Sequence, residues 1–272
     1  MDALIQKLMD PRLERERRGD REAIDVRPVR EPDVEEVEVP NTIAFPQVVP
    51  LSERQRERER ILEPGAPEPA GGPYKMLRTQ VLRRMAQIGA NTLAVLSAGK
   101  GEGKTLTAIN LAIAVAADAR HTAMLVDLDL RNPSIARRLG FQPKIGIDDC
   151  LQDRRPIYEA MVKISGYERL TVLPARVRTA QSSELLAAQR TGELMEELRT
   201  RYANRILIFD LPPVLLADDA LAFSRHVQAG LLVVAECRSD REGVKRSLSL
   251  LERLPIVGTV LNRSRERIDT YY

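Results

Sequence analysis

A short glycine-rich loop is the part of the sequence with the clearest capacity for chemistry. It reads AGKGEGKT over residues 98–105, follows the apolar run TLAVLS and precedes the helical pattern LTAINLAIAVAA. Glycines let successive backbone N–H groups point at phosphate oxygens, and the start of the following helix attracts the same negative charge. The pattern predicts a nucleoside triphosphate site. Ala98 stands where glycine is usual, and the alternative is a chance glycine-rich turn.

The last two side chains of this loop have specific expected roles. Lys104 is expected to reach the β and γ phosphates, and the Thr105 hydroxyl is expected to bind Mg²⁺. The loop therefore predicts ATP and Mg²⁺ as cofactors. The other predicted ATP-binding residues of the loop are Gly99, Lys100, Gly101, Glu102 and Gly103.

Acidic residues end two further apolar runs. Asp127 and Asp129 close AMLVDLDL, where alternation along an extended strand turns both carboxylates toward one crevice, and Asp210 closes RILIFD. Carboxylates beside a phosphate loop suit magnesium, so Asp127 and Asp210 are predicted metal ligands together with Thr105. For the Asp127 and Asp129 pair, the alternative is a simple polar exit of the strand to solvent.

The remaining polar candidates carry weaker signals. Asn262 ends the run PIVGTVLN, and its amide could contact a nucleotide base, with a loop or capping role as the alternative. The histidines, His121 and His226, lack metal-ligand spacing. The cysteines, Cys150 and Cys237, belong to no C-x-x-C pair. Neither a zinc site nor a disulfide framework is predicted.

Six short apolar runs alternate with helical segments and must position these residues. They lie at 92–97, 123–130, 170–175, 205–211, 229–236 and 255–262. Near-continuous apolar strands joined by helical crossovers predict an α/β fold with a mostly parallel, doubly wound sheet covered by helices on both faces. Ligands bind at the carboxyl ends of such strands, where the motifs above occur.

The first quarter of the chain differs in composition from the rest. Residues 1–19 carry apolar side chains at helical spacing, which predicts an amphipathic helix that packs on its own domain or docks on a partner or membrane. Residues 20–73, rich in Pro, Glu and Arg, predict a largely disordered linker. Within it, Ser52 could cap a short, charged helix. The catalytic domain is expected over 74–264, and a C-terminal tyrosine tail over 265–272.

Charge and composition argue against several function classes. The 42 Lys and Arg residues against 39 Asp and Glu residues give a net charge of +3, which is too balanced for nucleic acid as the main ligand. No apolar stretch approaches the roughly 18 residues of a membrane span, and the N-terminus lacks the apolar region of a signal peptide. The expected location is the cytoplasm.

Four features together resemble the bacterial BY-type tyrosine kinases of capsule and exopolysaccharide systems. They are the loop at 98–105, the run VDLDLRNP at 126–133, the DLPP sequence at 210–213 and the terminal DTYY at 269–272. The resemblance covers about residues 74–272. It implies the P-loop NTPase fold and an ATP-dependent tyrosine autokinase that regulates polysaccharide polymerisation and export.

The resemblance also implies residue roles and partners. Asp127 is implied as the base or metal-organising carboxylate, with Asp129 and Asp210 completing the magnesium shell. Tyr271 and Tyr272 are implied as phosphate acceptors, offered to a neighbouring subunit of a homo-oligomer. A separate membrane chain-length-determinant protein is implied as the activator, which would recruit the kinase to the inner face of the membrane.

The sequence departs from the family pattern in places, and two other functions are alternatives. The tail offers two tyrosines where the family usually has a longer cluster. In GPYKMLR at 72–78, Gly72 replaces the acid and Lys75 the first arginine of the family's E-x-x-R-x-x-R oligomerisation motif. One alternative is a Min/Par-type ATPase that acts as a dimerisation switch, although Gly99 occupies the position of its signature lysine. The other is a catalytically inactive adaptor.

Overall fold

The computed structural model describes residues 47–67, 69–201 and 204–265. The predicted amphipathic helix at 1–19, the first part of the predicted linker and the two tail tyrosines lie outside the described residues. The predictions made for them stay predictions.

Eight strands form one sheet in the described part of the chain. They are β1 (Gln47–Val49), β2 (Thr92–Ser97), β3 (Thr122–Asp127), β4 (Val162–Ile164), β5 (Leu170–Leu173), β6 (Arg205–Asp210), β7 (Ala229–Ala235) and β8 (Ile256–Asn262). Their order is β1-β4-β5-β3-β6-β2-β7-β8. The β4–β5 pair is antiparallel and the other neighbouring pairs are parallel.

Helices connect most of these strands. They are α1 (Glu53–Glu59), α2 (Gly72–Gln87), α3 (Lys104–Ala116), α4 (Ile135–Arg138), α5 (Ile147–Gln152), α6 (Ser182–Ala187), α7 (Gln189–Arg201), α8 (Asp219–Ser224) and α9 (Arg241–Leu250), with a 3₁₀ turn at Ile157–Ala160. None of the described helices combines the length and the apolar character needed to cross a bilayer.

Two hydrophobic clusters cover the sheet because alternate residues of each central strand point to opposite faces. In β2, Leu93 and Val95 join a cluster that includes α3, while Ala94 and Leu96 join a second cluster that includes α7. All six residues of β2 are buried. The predicted doubly wound α/β fold is confirmed.

The six predicted strands are all present, and the structure adds two that were missed. β1 and β4 have three residues each, which is too short for a recognisable apolar run. β3 ends at Asp127, so its prediction to residue 130 is wrong. The reason is local, because the Asp127 carboxylate accepts backbone N–H groups from residues 129, 134 and 135 and turns the chain.

The linker predicted over 20–73 requires a correction over residues 47–63. β1 joins the sheet edge beside β4, and Val49 and Ile61 are buried in the cluster that includes α3. The short charged helix is α1, and the Ser52 hydroxyl accepts the Gln55 N–H at 3.2 Å, so the predicted cap is confirmed. A few apolar residues in a polar segment are enough to pack it on the domain.

Candidate active site

The carboxyl ends of three neighbouring strands converge on one cavity. β6 lies between β2 and β3, and the register places Asp127 directly opposite Asp210. β2 leads into the glycine-rich loop, after which Lys104 begins α3. The loop, Asp129 and the segment after β6 border a cavity of about 530 Å³. The structure therefore brings the three predicted motifs together.

The glycine-rich loop has a backbone shape that requires glycine at two positions. Gly101 and Gly103 have φ angles of 74° and 95°, in the left-handed region that residues with a Cβ rarely adopt. A Cβ at Gly103 would collide with the Asn262 amide nitrogen, and one at Gly101 with the Arg238 guanidinium. This winding is the kind that a phosphate-binding loop requires.

Side chains behind the loop hold it in this shape. The buried Glu102 carboxylate accepts hydrogen bonds from the Gly99 N–H at 3.1 Å and from the Ser239 hydroxyl at 2.5 Å. Arg238 Nε donates to the Lys100 carbonyl at 3.0 Å. Arg238 and Ser239 belong to no sequence motif, because only the fold brings the turn between β7 and α9 beside the loop.

Two predicted ATP-binding residues are engaged with the protein itself. The Glu102 carboxylate is occupied as described above. Asn262 Nδ2 donates to the Glu102 carbonyl at 2.8 Å, and its Oδ1 accepts the Arg263 N–H at 2.9 Å. Asn262 is absent from the lining of the cavity in the described part of the chain. The geometry therefore supports the structural alternative for Asn262, in which its amide ties β8 to the loop.

Lys104 forms a buried ion pair at the centre of the site. Its Nζ lies 2.5 Å from Asp210 Oδ1 and 4.0 Å from Asp129 Oδ2. Asp210 is fully buried, and its second oxygen, Oδ2, has no hydrogen-bond partner among the described residues. An unpartnered buried carboxylate oxygen is costly and is a natural position for a water or a cation ligand.

Asp127 is enclosed and organises the next loop. Its Oδ2 accepts the N–H groups of Ser134 at 3.0 Å and Ile135 at 2.9 Å, and its Oδ1 accepts that of Asp129 at 3.3 Å. Burial raises the pKa of Asp127 to about 7, and the nearby charge of Asp210 is the second cause. The hydrogen bonds from Ile135 and Ser134 act in the opposite direction and lower this pKa. Its oxygens point to backbone amides, so the geometry does not support Asp127 as a direct metal ligand or base.

Asp129 differs from Asp127 in exposure. It lines the cavity, and its Oδ1 accepts the Asn132 N–H at 3.1 Å. Burial raises the pKa of Asp129, while the Lys104 ammonium lowers it. The prediction that strand alternation turns both carboxylates toward one crevice is wrong for Asp127, which is absent from the described lining of the cavity, because the strand ends between the two residues.

The comparison with protein families assigns the fold to a known group. The family ParA, described as "NUBPL iron-transfer P-loop NTPase", matches residues 89–269. The chain belongs to this family of P-loop NTPases.

Relatives of this P-loop NTPase carry names that confirm the predicted resemblance. "Tyrosine-protein kinase wzc" of Salmonella typhi is 28% identical over 240 residues, which cover 82% of this chain and 33% of that protein. "Succinoglycan biosynthesis transport protein ExoP" of Rhizobium meliloti is 29% identical over 181 residues, covering 64% of this chain and 22% of that protein. The chain thus spans a third or less of the length of these two relatives.

A solved structure supports the fold of this P-loop NTPase. The kinase domain of Escherichia coli tyrosine kinase ETK superposes with a TM-score of 0.68, covering 85% of this chain and 93% of that one at 24% identity. At that identity the likeness shows the shared fold.

The cavity of this P-loop NTPase is strongly cationic. Arg131 is held by two contacts of its Nε with the buried Asp219 carboxylate, at 2.8 and 3.1 Å, and Arg178 donates to Asn132 Oδ1 at 2.8 Å. Acidic side chains in the described lining are limited to two, those of Glu102 and Asp129. The basic residues that line it are Lys100, Lys104, Arg131, Arg137, Arg138, Arg178 and Arg263. Apart from Arg131, which lies in the run at 126–133, these arginines carry no sequence signal, because the fold brings them together from α4, the loop at residue 178 and the end of β8.

The residues present fit ATP and Mg²⁺. The wound loop and the positive wall suit a polyphosphate, and the free Asp210 Oδ2 suits a magnesium ligand or its bound water. Thr105 lines the same cavity and is partly exposed. The described residues contain no cluster of three or more His, Cys, Asp or Glu able to hold a metal. Magnesium needs no such cluster, since it commonly takes one or two protein ligands, substrate phosphates and water.

Proposed function

We propose that this P-loop NTPase is an ATP- and Mg²⁺-dependent protein tyrosine autokinase. The observation that carries the proposal is the placement of Lys104 and Asp129 in the lining of one cationic cavity, with the buried Asp210 paired to Lys104 behind it, in a chain with a relative named as a tyrosine-protein kinase. The proposed acceptors are Tyr271 and Tyr272 of a neighbouring copy, as the sequence resemblance implies.

Binding of the phosphoryl donor rests on the loop and its lysine. The backbone N–H groups of residues 99–105 receive the phosphates, and Lys104 Nζ moves from Asp210 toward the β and γ phosphates. Thr105 and Asp210 are the proposed magnesium ligands. Mg²⁺, when bound, supplies charge neutralisation at the phosphates. Once Lys104 has moved toward the phosphates, both Asp210 oxygens are available to bind magnesium.

Asp129 is the carboxylate best placed to receive the proton of the acceptor. It lines the cavity and burial raises its pKa, whereas Asp127 is enclosed by backbone amides. The tyrosine oxygen bonds to the γ phosphorus, the bond from phosphorus to the bridging oxygen breaks, and ADP leaves. A tyrosine hydroxyl has an ordinary pKa near 10, so its proton passes to Asp129 during the transfer and not before it.

The proposed setting is capsule or exopolysaccharide polymerisation and export. Support comes from the sequence resemblance and from the name of the ExoP relative, a succinoglycan biosynthesis transport protein. The proposed location is the cytoplasm, with recruitment to the inner membrane face by a separate membrane activator.

The predicted helix at 1–19 is the proposed contact with this activator. Its deletion should lower capture of the activator's cytoplasmic segment in a pull-down, and unchanged capture would rule out this contact.

Intact-mass analysis after incubation with Mg·ATP tests the kinase proposal. The wild type should gain one or more phosphoryl groups, and the double variant Tyr271→Phe/Tyr272→Phe should gain none. Tyr158→Phe is the matched control, because this tyrosine is 47% exposed and lies outside the site. Loss of phosphorylation in Tyr158→Phe would indicate that Tyr158, and not the C-terminal pair, is the acceptor.

ATP hydrolysis without phosphate on the protein, with the activator segment present, would contradict the kinase proposal. Membership of the ParA family makes a nucleotide-dependent dimerisation switch the second candidate. In that case Mg·ATP should convert monomers to dimers, which sedimentation would detect. Binding of ATP with neither hydrolysis nor transfer would instead indicate an inactive adaptor.

A further inference from the structure

A segment outside the nucleotide motifs supports one wall of the cavity. We call residues 47–63, which comprise β1, α1 and the chain after them, the N-terminal strap. Gln55 of the strap lies against the end of α4, where its Nε2 donates to the carbonyls of Arg137 at 3.0 Å and Arg138 at 2.8 Å. The Gly140 N–H also donates to the Arg137 carbonyl, at 3.2 Å, so Gln55 adds to the backbone bonds that cap α4.

The opposite end of α4 is fixed by the active site. Asp127 accepts the N–H groups of Ser134 and Ile135, at the first turn of the helix. α4 has four residues, which is too short to be stable by itself. Its position therefore depends on tertiary contacts, which are the burial of Ile135 and the side chains that hold its two ends, Asp127 from the sheet and Gln55 from the strap.

The residues between these two anchors contribute to the cationic wall. Arg137 and Arg138 both line the cavity. Arg138 is paired with Glu59 of the strap, with Nη1 2.8 Å from Oε2. Arg137 is exposed and makes no side-chain ion pair within the described part of the chain, which leaves its guanidinium available to a phosphate.

The strap is itself anchored to the helix that follows the phosphate loop. Asn110 of α3 is buried, and its amide accepts the Leu62 N–H and donates to the Arg60 carbonyl, both at 3.0 Å. Tyr167 donates its hydroxyl proton to the Leu62 carbonyl at 3.0 Å. With β1 paired to β4 at the other end, both ends of the strap are fixed.

We propose that Gln55 is a positioning residue of the nucleotide site. By holding the end of α4, it places Arg137 at the mouth of the cavity, so affinity for Mg·ATP depends on the strap as well as on the phosphate loop. The inference rests on the nucleotide binding in the proposed function and is independent of whether phosphate then passes to tyrosine.

Binding of a fluorescent ATP analogue with Mg²⁺ to the full chain tests this inference. Gln55→Ala should weaken binding about three- to tenfold, as expected for the loss of hydrogen bonds that fix a charged group. Arg54→Ala is the matched control, because Arg54 is exposed on the same helix and should bind as the wild type does. The melting temperature of each variant shows whether it remains folded.

A double-mutant cycle separates positioning from general support. Arg137→Ala should weaken binding by a similar factor, and the variant carrying both changes should be little weaker than either alone, because both remove the same contribution. Wild-type affinity in Gln55→Ala, or losses that multiply in the double variant, would overturn the inference. A wild type that binds the analogue but phosphorylates no tyrosine would overturn only the kinase proposal.

Discussion

The strand-end loops and the N-terminal strap both shape the nucleotide cavity, but in different ways. The loops supply the groups that would touch the ligand, such as Lys104 and Asp129. The strap supplies Gln55 and Glu59, which hold the arginines of α4 from outside. The residue types of a short motif such as the phosphate loop indicate its chemistry directly. The supporting role of the strap depends on tertiary contacts, so its residues show no recognisable pattern in the sequence.

The largest effect should come from the loop lysine. Lys104→Met removes the cation proposed to contact the phosphates, so tyrosine phosphorylation with Mg·ATP should fall by at least about a hundredfold. The same change leaves Asp210 unpaired in the interior, so the melting temperature is measured in parallel. Lys245→Met, at an exposed lysine of α9, is the control. Unchanged phosphorylation in Lys104→Met would show that the site is wrongly assigned.

The next largest effect should distinguish Asp127, which ends β3, from Asp129, which follows the strand. Asp127→Ala leaves three backbone N–H groups without their acceptor, offset in part by relief of repulsion with Asp210. The expected net loss is about 2 kcal/mol, or a melting temperature lower by about 4–8 °C.

Asp129→Ala is the comparison for this aspartate pair. It should lower phosphorylation strongly while the melting temperature changes by less than about 3 °C, because the Asn132 N–H loses one acceptor and keeps the Asp129 carbonyl. Equal melting temperatures for Asp127→Ala and Asp129→Ala would contradict the capping role of Asp127.

A smaller effect should follow from releasing the strap from α3. Asn110→Ala removes both hydrogen bonds to the strap backbone, which should cost about 1–3 kcal/mol and weaken the ATP analogue's binding only modestly. Thermal unfolding measures the first quantity and fluorescence titration the second. Asn204→Ala, at an exposed asparagine in the turn before β6, is the stability control. A melting temperature equal to that of the wild type would mean that the strap does not depend on Asn110.

The smallest effect should come from the cap of α1. Ser52→Ala removes the acceptor for the Gln55 N–H, which should cost about 1 kcal/mol and leave phosphorylation nearly unchanged. Ser249→Ala, at an exposed serine within α9, should have no measurable effect on melting. A large loss of nucleotide binding in Ser52→Ala would mean that the strap positions α4 more tightly than these contacts suggest.

The sequence predicted the fold more fully than the roles of individual site residues. Six buried runs were visible because each central strand is apolar on both faces, while β1 and β4 are too short to be recognised. Asn262 was predicted to contact the nucleotide base, whereas its amide holds the loop from behind. Glu102 was predicted to bind ATP as part of the loop, and its backbone N–H stays a proposed phosphate contact. The Glu102 side chain braces the loop, which residue type does not reveal.

By itself, the sequence determined the phosphate loop, the acidic strand ends and the parallel sheet. These follow from local chemistry, since glycine spacing sets the backbone winding and strand burial sets the apolar runs. Only the tertiary structure decided that Asp127 caps α4, that Arg238 and Ser239 brace the loop, and that residues 47–63 belong to the domain. The contacts of Arg238, Ser239 and residues 47–63 join residues distant in the chain, and those of Asp127 cross a loop of seven or eight residues. No local pattern encodes which of these partners will meet.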